Sequence, residues 1–320
     1  MSKAKKSLLS IIVPVFNEEL NIIPFHERTA RVLDKIDMDY EIIMVNDGSR
    51  DKSLEIIEIL RNKDPRVKVI DLSRNFGKEI ALTAGIDFCT GDAMIPIDVD
   101  LQDPPETMIQ MVDKWKEGWD VVFATRELRK GESWHKKLTA RLFYRLIGKL
   151  TDIYIPPDTG DFRIMDRKVV EALKRLPERN RFMKGLFSWV GFRQIGIKYQ
   201  REPRYKGKTK WNYGKLMNFA FLGITSFTSS PLRIATYLGT FISSASFLYG
   251  LYLFIRTLVL GSDLAGYPST IIIILFLGGV QLLTIGILGE YIGHIYTETK
   301  KRPLYFVREA LGFKKNKTQD

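Results

Sequence analysis

The sequence is short of the residues that mark several common chemistries. Its single cysteine, Cys89, excludes an internal disulfide framework. Its three histidines, His26, His135 and His294, stand far apart, so no zinc-ligand spacing exists. No G-x-G-x-x-G and no P-loop follows any strand-like run, which weighs against dinucleotide-dependent and P-loop NTPase chemistry. The N-terminal MSKAKKSLLS has a basic start but only a short apolar stretch, interrupted by Pro14 and Asn17, and reads as a strand rather than a signal peptide. What the chain has in excess is positive charge, +12 over 320 residues, with 45% hydrophobic content that excludes global disorder. That charge requires a polyanionic partner or a membrane surface.

The location of the charge favours the membrane over nucleic acid. Ile234–Ile255 and Tyr267–Gly289 are uncharged runs, each long enough to cross roughly 30 Å of hydrocarbon as a helix. Neither has the polar face that a helix packed on a soluble domain shows. The loop Thr257–Gly266 contains Asp263 and no Lys or Arg. The outer flanks carry Lys206, Lys208, Lys210, Lys215 and Arg233 before the spans, and Lys300, Lys301, Arg302 and Arg308 after them. The positive-inside rule then predicts that both ends, with the roughly 230 residues ahead of the spans, are cytosolic. In 134–150, Trp134, Leu138, Leu142, Leu146 and Leu150 alternate with Lys137, Arg141, Arg145 and Lys149 at helical spacing. This pattern suits a helix lying in an anionic interface, although a helix packed on the core would show it too. A second interfacial helix is expected at about 211–226.

Ahead of the spans, strand-like and helix-like runs alternate. Leu9–Phe16, Tyr40–Val45, Val67–Leu72, Ala93–Asp98 and Asp120–Ala124 read as strands. The intervening segments, including 53–62, 78–89 and 105–117, read as helices. Alternation of this length predicts an α/β domain with a mostly parallel sheet. Ligands of such sheets sit at the carboxyl ends of the strands. There the sequence places its polar clusters: Asn17-Glu18, Asn46-Asp47-Gly48-Ser49 and Asp98-Val99-Asp100. Asp98, Asp100 and Gln102, two apart in extended chain, can converge. Their hard oxygens suit Mg²⁺ or Mn²⁺ with open positions for phosphate.

Five ordered motifs, IVPVFNEE (12–19), VNDGS (45–49), SRNFGK (73–78), DVDLQDPP (98–105) and TGDFR (159–163), resemble the family 2 glycosyltransferases of GT-A fold. The resemblance is closest to the polyprenyl-phosphate glycosyltransferases, among them dolichol-phosphate mannose synthases and bacterial glucosyltransferases of O-antigen modification, and extends through both spans. It implies a GT-A catalytic domain over 1–230, a two-helix membrane region over 231–299 and a basic cytosolic tail over 300–320, in the bacterial inner membrane. It implies that Pro14, Asn17, Glu18 and Asp47 hold the nucleoside, although Asn and Asp at these positions would also serve as helix caps. It further implies that Asp98, Asp100 and Gln102 bind the metal, with Asp98 also on the nucleotide. Lys78 and Arg126 would be donor-site cations, or else surface charges. Arg204, Lys208 and Lys210 would meet phosphate on a flap before the first span, where attraction to anionic lipid would use the same charges. Asp161 matches the catalytic aspartate of such enzymes. Because a lipid phosphate is already largely ionised, Asp161 either takes a residual proton or orients the acceptor or a cation.

The implied reaction is inverting transfer of a hexose, foremost glucose from UDP-glucose, to undecaprenyl or another polyprenyl phosphate. UDP-N-acetylhexosamine and GDP-mannose remain open as donors. A processive polysaccharide synthase would carry a Gln-x-x-Arg-Trp motif and a larger channel, both missing from the sequence. A nucleotide-sugar-binding membrane scaffold without activity is the other alternative. Small residues in and just after the second span, including Gly278, Gly279, Gly286, Gly289 and Gly293, permit close helix packing and a homo-oligomer. A cytosolic lipid-linked product would require a flippase as partner.

Overall fold

The computed structural model describes residues 6–127, 156, 159–179, 181–206, 228–260 and 266–313. Both expected interfacial helices, Lys208 and Lys210 lie outside the described residues.

The first half of the chain folds as its alternation dictates: β1 (Leu8–Val15), α1 (Ile22–Leu33), β2 (Asp39–Asn46), α2 (Ser53–Lys63), β3 (Val67–Leu72), α3 (Lys78–Phe88), β4 (Ala93–Pro96), α4 (Thr107–Lys116) and β5 (Val121–Arg126). Next come β6 (Thr159–Asp166), α5 (Arg167–Lys174), α6 (Met183–Trp189) and β7 (Gln194–Tyr199). Two long helices, α7 (Ser230–Leu260) and α8 (Tyr267–Thr299), precede a last strand, β8 (Val307–Leu311).

The eight strands form one sheet in the order β7-β5-β6-β4-β1-β2-β3-β8. Pairs β1–β2, β1–β4, β2–β3 and β5–β7 are parallel; β4–β6, β5–β6 and β3–β8 are antiparallel. Both faces are covered, which is why the central strands read as continuous apolar runs. Side-chain alternation sends Leu9, Ile11, Val13 and Val15 of β1 into a core with Phe25, Ile57 and Met108 of α1, α2 and α4. Ile12, with Ile43 and Val45 of β2, faces Leu82 of α3, Val169 of α5 and Phe187 of α6. Gly85 lets α3 lie directly on β1, since a Cβ there would come within 2.2 Å of the Ile12 side chain.

Two expectations are corrected. β4 stops at Pro96, so Asp98–Gln102 leave the sheet, and their convergence does not come from strand pleating. Leu101 instead takes a left-handed φ of 58°, which turns the chain between Asp100 and Gln102 at a cost of about 1–2 kcal/mol for a non-glycine residue. The second concerns 300–320: Val307–Leu311 is not a free tail but pairs with β3, from Leu72↔Val307 to Val69↔Leu311. The chain thus leaves the domain after β7, forms the α7–α8 hairpin and returns to the same sheet.

The hairpin itself contains two segments, Ser230–Leu253 and Ile273–Thr299, long and apolar enough to cross a membrane. Phe241 is 73% exposed and Leu282 72%. Near the domain, Tyr291 Oη donates to the Thr228 carbonyl at 2.6 Å, and Glu298 Oε1 accepts from the Arg179 N–H at 2.7 Å.

Candidate active site

The polar clusters gather at one end of the sheet for a topological reason. β1, β2, β3, β4, β5 and β7 end there. β6 runs antiparallel to β4 and β5, so its beginning, Thr159-Gly160-Asp161, lies at the same end, with Thr159 opposite Thr125.

On the β1–β3 side the polar groups hold loops. Asp47 is 2% exposed, and its carboxylate accepts from the N–H groups of Phe76 at 2.7 Å and Gly77 at 2.9 Å, and from Asn75 Nδ2 at 2.9 Å. Desolvation pushes the Asp47 carboxyl up against the pull of these donors. Gly48, at φ 65°, has no room for a side chain: a Cβ would meet Arg74 C and Asn75 N at 2.5 Å. Asn17, also left-handed at φ 51°, accepts from Arg50 N at 2.7 Å and donates its N–H to Ser49 Oγ at 3.0 Å. Glu18 donates its N–H to Ser53 Oγ and accepts on its carboxylate from Asn21 at 2.6 Å and Arg204 at 3.1 Å. Pro14 sits in β1 opposite Val45. The Asp47 oxygens, expected to accept from nucleoside donors, are engaged by the 75–77 loop, which they shape.

Beyond β4, each expected metal ligand accepts from a cationic side chain. Lys78 Nζ lies 2.7 Å from Asp98 Oδ1. Arg204 Nη2 lies 2.9 Å from Asp100 Oδ2, and Arg201 donates to Gln102 Oε1 at 2.5 Å. The segment that supplies both arginines is stitched over the loop by Glu202 N to Gln102 O at 3.0 Å and Tyr205 N to Asp100 O at 3.2 Å. Among the described residues no group of three His, Cys, Asp or Glu side chains stands ready for a metal. The set of two carboxylates and one amide oxygen nevertheless fits a hard divalent cation that completes its shell with phosphate. Desolvation and the neighbouring Asp98 charge both push the Asp100 carboxyl up, and a cation between the two carboxylates would relieve this repulsion.

Lys78 Nζ also lies 2.8 Å from Asp161 Oδ2, so one ammonium joins the expected metal loop to the expected catalytic carboxylate. With 39% of its side chain accessible, Lys78 still loses hydration, but Asp161 and Asp98 outweigh this and hold it well above its ordinary pKa. Asp161 shows the reciprocal effect: desolvation would raise it, but Lys78 and Lys184 hold it well below the carboxylate range. Its Oδ1 is buried without a hydrogen-bond partner. Glu79, beside Lys78, accepts from the Met183 N–H at 3.2 Å, and desolvation with the Asp161 charge pushes its carboxyl up to about 8. Lys184 follows on α6, its ammonium pushed down by desolvation despite Asp161. Arg163 is 2% exposed, donates to the Gly160 carbonyl at 2.9 Å and stacks 4.4 Å from the Phe187 ring centroid; burial pushes it down to about 10. Gly160 leaves room for Arg126, whose Nη2 would be 3.0 Å from a Cβ there. Arg126 Nε donates to Tyr199 Oη at 3.1 Å, and Tyr199 in turn donates to the buried Asp103.

Asp98, Asp100, Gln102, Lys78, Asp161, Glu18 and Arg204 thus form one connected constellation, and Arg126 approaches it across Gly160. Sequence reading misses Glu79, Lys184, Tyr199 and Asp103. Only the Asp103 position, inside the DVDLQDPP motif, carries a signal; the others are lone residues whose partners lie far away in sequence.

Residues 10–174 match the glycosyl transferase family 2 model, and residues 230–295 match the GtrB C-terminal hairpin. An uncharacterized glycosyltransferase of Synechocystis sp. is 55% identical over 95% of this chain and 96% of its own length. A bactoprenol glucosyl transferase of Shigella phage SfX is 50% identical over 94% of this chain and 98% of that protein. The glucosyl-3-phosphoglycerate synthase of Mycobacterium tuberculosis, solved with Mn²⁺, UDP-glucose and phosphoglyceric acid, aligns with 68% of this chain and 78% of that one at 20% identity and TM-score 0.44. With a family model spanning residues 10–174 and relatives matched along nearly their whole length, the chain belongs to glycosyl transferase family 2 and is a glycosyltransferase with a GT-A domain.

Proposed function

We propose that the protein transfers a hexose, foremost glucose from UDP-glucose, to a polyprenyl phosphate at the cytosolic face of a membrane, with metal dependence and inversion at the anomeric carbon. The observation that carries this reading is the Lys78 bridge. It holds Asp98, on the expected leaving-group side, and Asp161, on the expected acceptor side, on a single ammonium at 2.7 and 2.8 Å, in a chain that continues into an exposed apolar hairpin. The name of the phage relative, bactoprenol glucosyl transferase, supports the acceptor.

In this mechanism an oxygen of the lipid phosphate forms the new bond to the anomeric carbon while the bond from that carbon to the nucleoside diphosphate breaks. Asp98, Asp100 and Gln102 would hold a divalent cation, which when bound supplies positive charge to the departing diphosphate. Arg204 and Arg201 then exchange these ligands for phosphate oxygens, a contact suited to guanidinium. Asp161 is a poor proton acceptor because Lys78 and Lys184 stabilise its charge. This supports a role in orienting the acceptor through its unpartnered Oδ1 and neighbouring cations, rather than one as general base.

The membrane placement rests on geometry and charge. The pairing of β8 with β3 supports placing both ends of the hairpin on the side of the catalytic domain. The flanking cations favour the cytosol for that side. α7 continues to Leu260 and so carries Arg256 towards the outer loop, one cation against the many on the flanks.

The test is transfer of radiolabelled sugar from UDP- and GDP-sugars to undecaprenyl phosphate with Mg²⁺, Mn²⁺ or EDTA, alongside Asp100→Ala. The expected result is a metal-dependent lipid-linked monosaccharide, reduced on the order of 10²- to 10³-fold in the variant, the scale of losing one electrostatic contact to the reacting charge. Equal turnover in EDTA, or an unimpaired variant, would contradict the metal assignment. Nucleotide binding without turnover of any donor would favour a scaffold.

A further inference from the structure

Arg308 lies in β8, beyond both long helices, yet it is tied to the loops around Asp47. β8 pairs irregularly with β3 between Asp71 and Leu72. There Arg308 Nη1 donates to Asp71 Oδ2 at 3.1 Å and Nη2 to the Ser73 carbonyl at 2.9 Å, while Ser73 N donates to Phe306 O at 2.9 Å. Asp71, 4% exposed, accepts on Oδ1 from Asn46 Nδ2 at 2.7 Å. Asn46, 2% exposed, accepts on Oδ1 from Ser49 N at 3.2 Å, and Ser49 Oγ accepts from Asn17 N at 3.0 Å. A continuous relay thus runs from Arg308 through Asp71 and Asn46 to Ser49 and Asn17. A second arm runs from Arg308 to Ser73, where the loop begins that donates the Phe76 and Gly77 N–H groups to Asp47.

We propose that Arg308 is a positioning residue for the nucleoside-diphosphate end of the donor. The donor pocket takes its working shape only when the strand that follows the membrane hairpin is docked on β3. The inference rests on the assignment of the Asn17–Asp47 region to the donor under the proposed function. The physical basis is that Asp71 is a nearly buried carboxylate whose cationic partner is Arg308. Without that partner the buried carboxylate must reorient, and Asn46 and the loop from Ser73 lose the acceptor and carbonyl position that fix them. The 61% exposed guanidinium contributes little to global stability by itself, which separates a local effect on the pocket from unfolding. Arginine suits the position because its fork reaches Asp71 and Ser73 together; a lysine ammonium can satisfy the carboxylate but not both arms at once.

The experiment uses the full chain in detergent or nanodiscs and measures UDP and GDP binding by calorimetry, donor and acceptor KM, kcat and Tm for wild type, Arg308→Met, Arg308→Lys, Asp71→Asn and the Asp71→Asn, Arg308→Met double variant. The expected result for Arg308→Met is a UDP Kd and donor KM raised about tenfold, the scale of one charge-assisted hydrogen bond. Acceptor KM and kcat should stay within about twofold. Arg308→Lys should recover part of the loss. Asp71→Asn should reproduce it, and combining Asp71→Asn with Arg308→Met should add little, since both act through one relay. A folded Arg308→Met protein with unchanged UDP affinity overturns the proposal. So does a loss spread equally over donor KM, acceptor KM, kcat and Tm, which would mark a merely structural residue. Wild type that binds neither UDP nor GDP overturns the donor-site assignment itself, and this proposal with it.

Discussion

The two halves of the site are built on different physics. Around β1–β3, the loop-shaping side chains are held chiefly by neutral donors, Asp47 by two backbone N–H groups and Asn75, Asn17 by Arg50 N and Asn46 by Ser49 N, while Glu18 and Asp71 meet the cations of Arg204 and Arg308. Between β6 and α6, charges meet charges and some remain unmatched: Asp161 Oδ1 and Arg163 Nε are buried without partners, and Lys184 and Arg163 are pushed below their ordinary pKa values. A hydrogen-bonded loop defines a shape, while buried charge that is not fully compensated is costly and belongs where a charged group must be received. We propose that the first half serves recognition and the second chemistry, and mutations should then separate them.

The largest effect is expected from Asp161→Asn. Activity should fall on the order of 10²- to 10⁴-fold with UDP binding retained, as checked by single-turnover transfer alongside calorimetry. A variant that loses UDP binding in proportion would erase the division between the halves. Next is Asp47→Ala, which leaves the Phe76 and Gly77 N–H groups without their acceptor at a cost of about 1–3 kcal/mol each. Donor KM should rise about tenfold or more, and Tm should fall with it, whereas kcat at saturating donor should change little.

How far these contrasts are legible in sequence differs between the halves as well. β1 to β5 are evident because each is an apolar run closed by a polar cluster, and the parallel sheet then dictates where those clusters meet. β6, β7 and β8 are not evident. β6 begins with Thr159-Gly160-Asp161, recognisable as a motif but not as the start of an antiparallel strand. β8, Val-Arg-Glu-Ala-Leu, is a largely exposed edge strand without a strong apolar period. The resemblance brings Asp98, Asp100, Asp161 and, as a donor-site cation, Lys78 forward, but not that the Lys78 ammonium joins Asp98 to Asp161, nor that the Asp47 oxygens are engaged by neighbouring loop groups. Glu79 and Lys184 leave no pattern at all: one is the second residue of α3, the other the second of α6, and only the packing of those helices brings them together.

The smallest effect concerns Glu79. Its carboxyl is raised from 4.5 to about 8 in the folded protein, so the folded state holds the proton more tightly. The stability gained is fully present below about 4.5 and is lost as pH rises towards 8. Glu79→Gln, neutral throughout, should therefore lose less Tm between these limits than wild type. The difference should be small, roughly 2 °C, because solvent screens a partly open site. Parallel Tm profiles for variant and wild type would show that Glu79 does not titrate in this window.

The central claim is that the sugar is delivered to a lipid phosphate. It is tested most directly by offering the purified full chain UDP-[¹⁴C]glucose with undecaprenyl phosphate, undecaprenol or no lipid, and following label into the organic phase and into free glucose. The account predicts label in a mild-acid-labile lipid only with undecaprenyl phosphate, abolished by Asp161→Asn. Equal labelling of undecaprenol, or release of free glucose unaffected by the lipid, would contradict it.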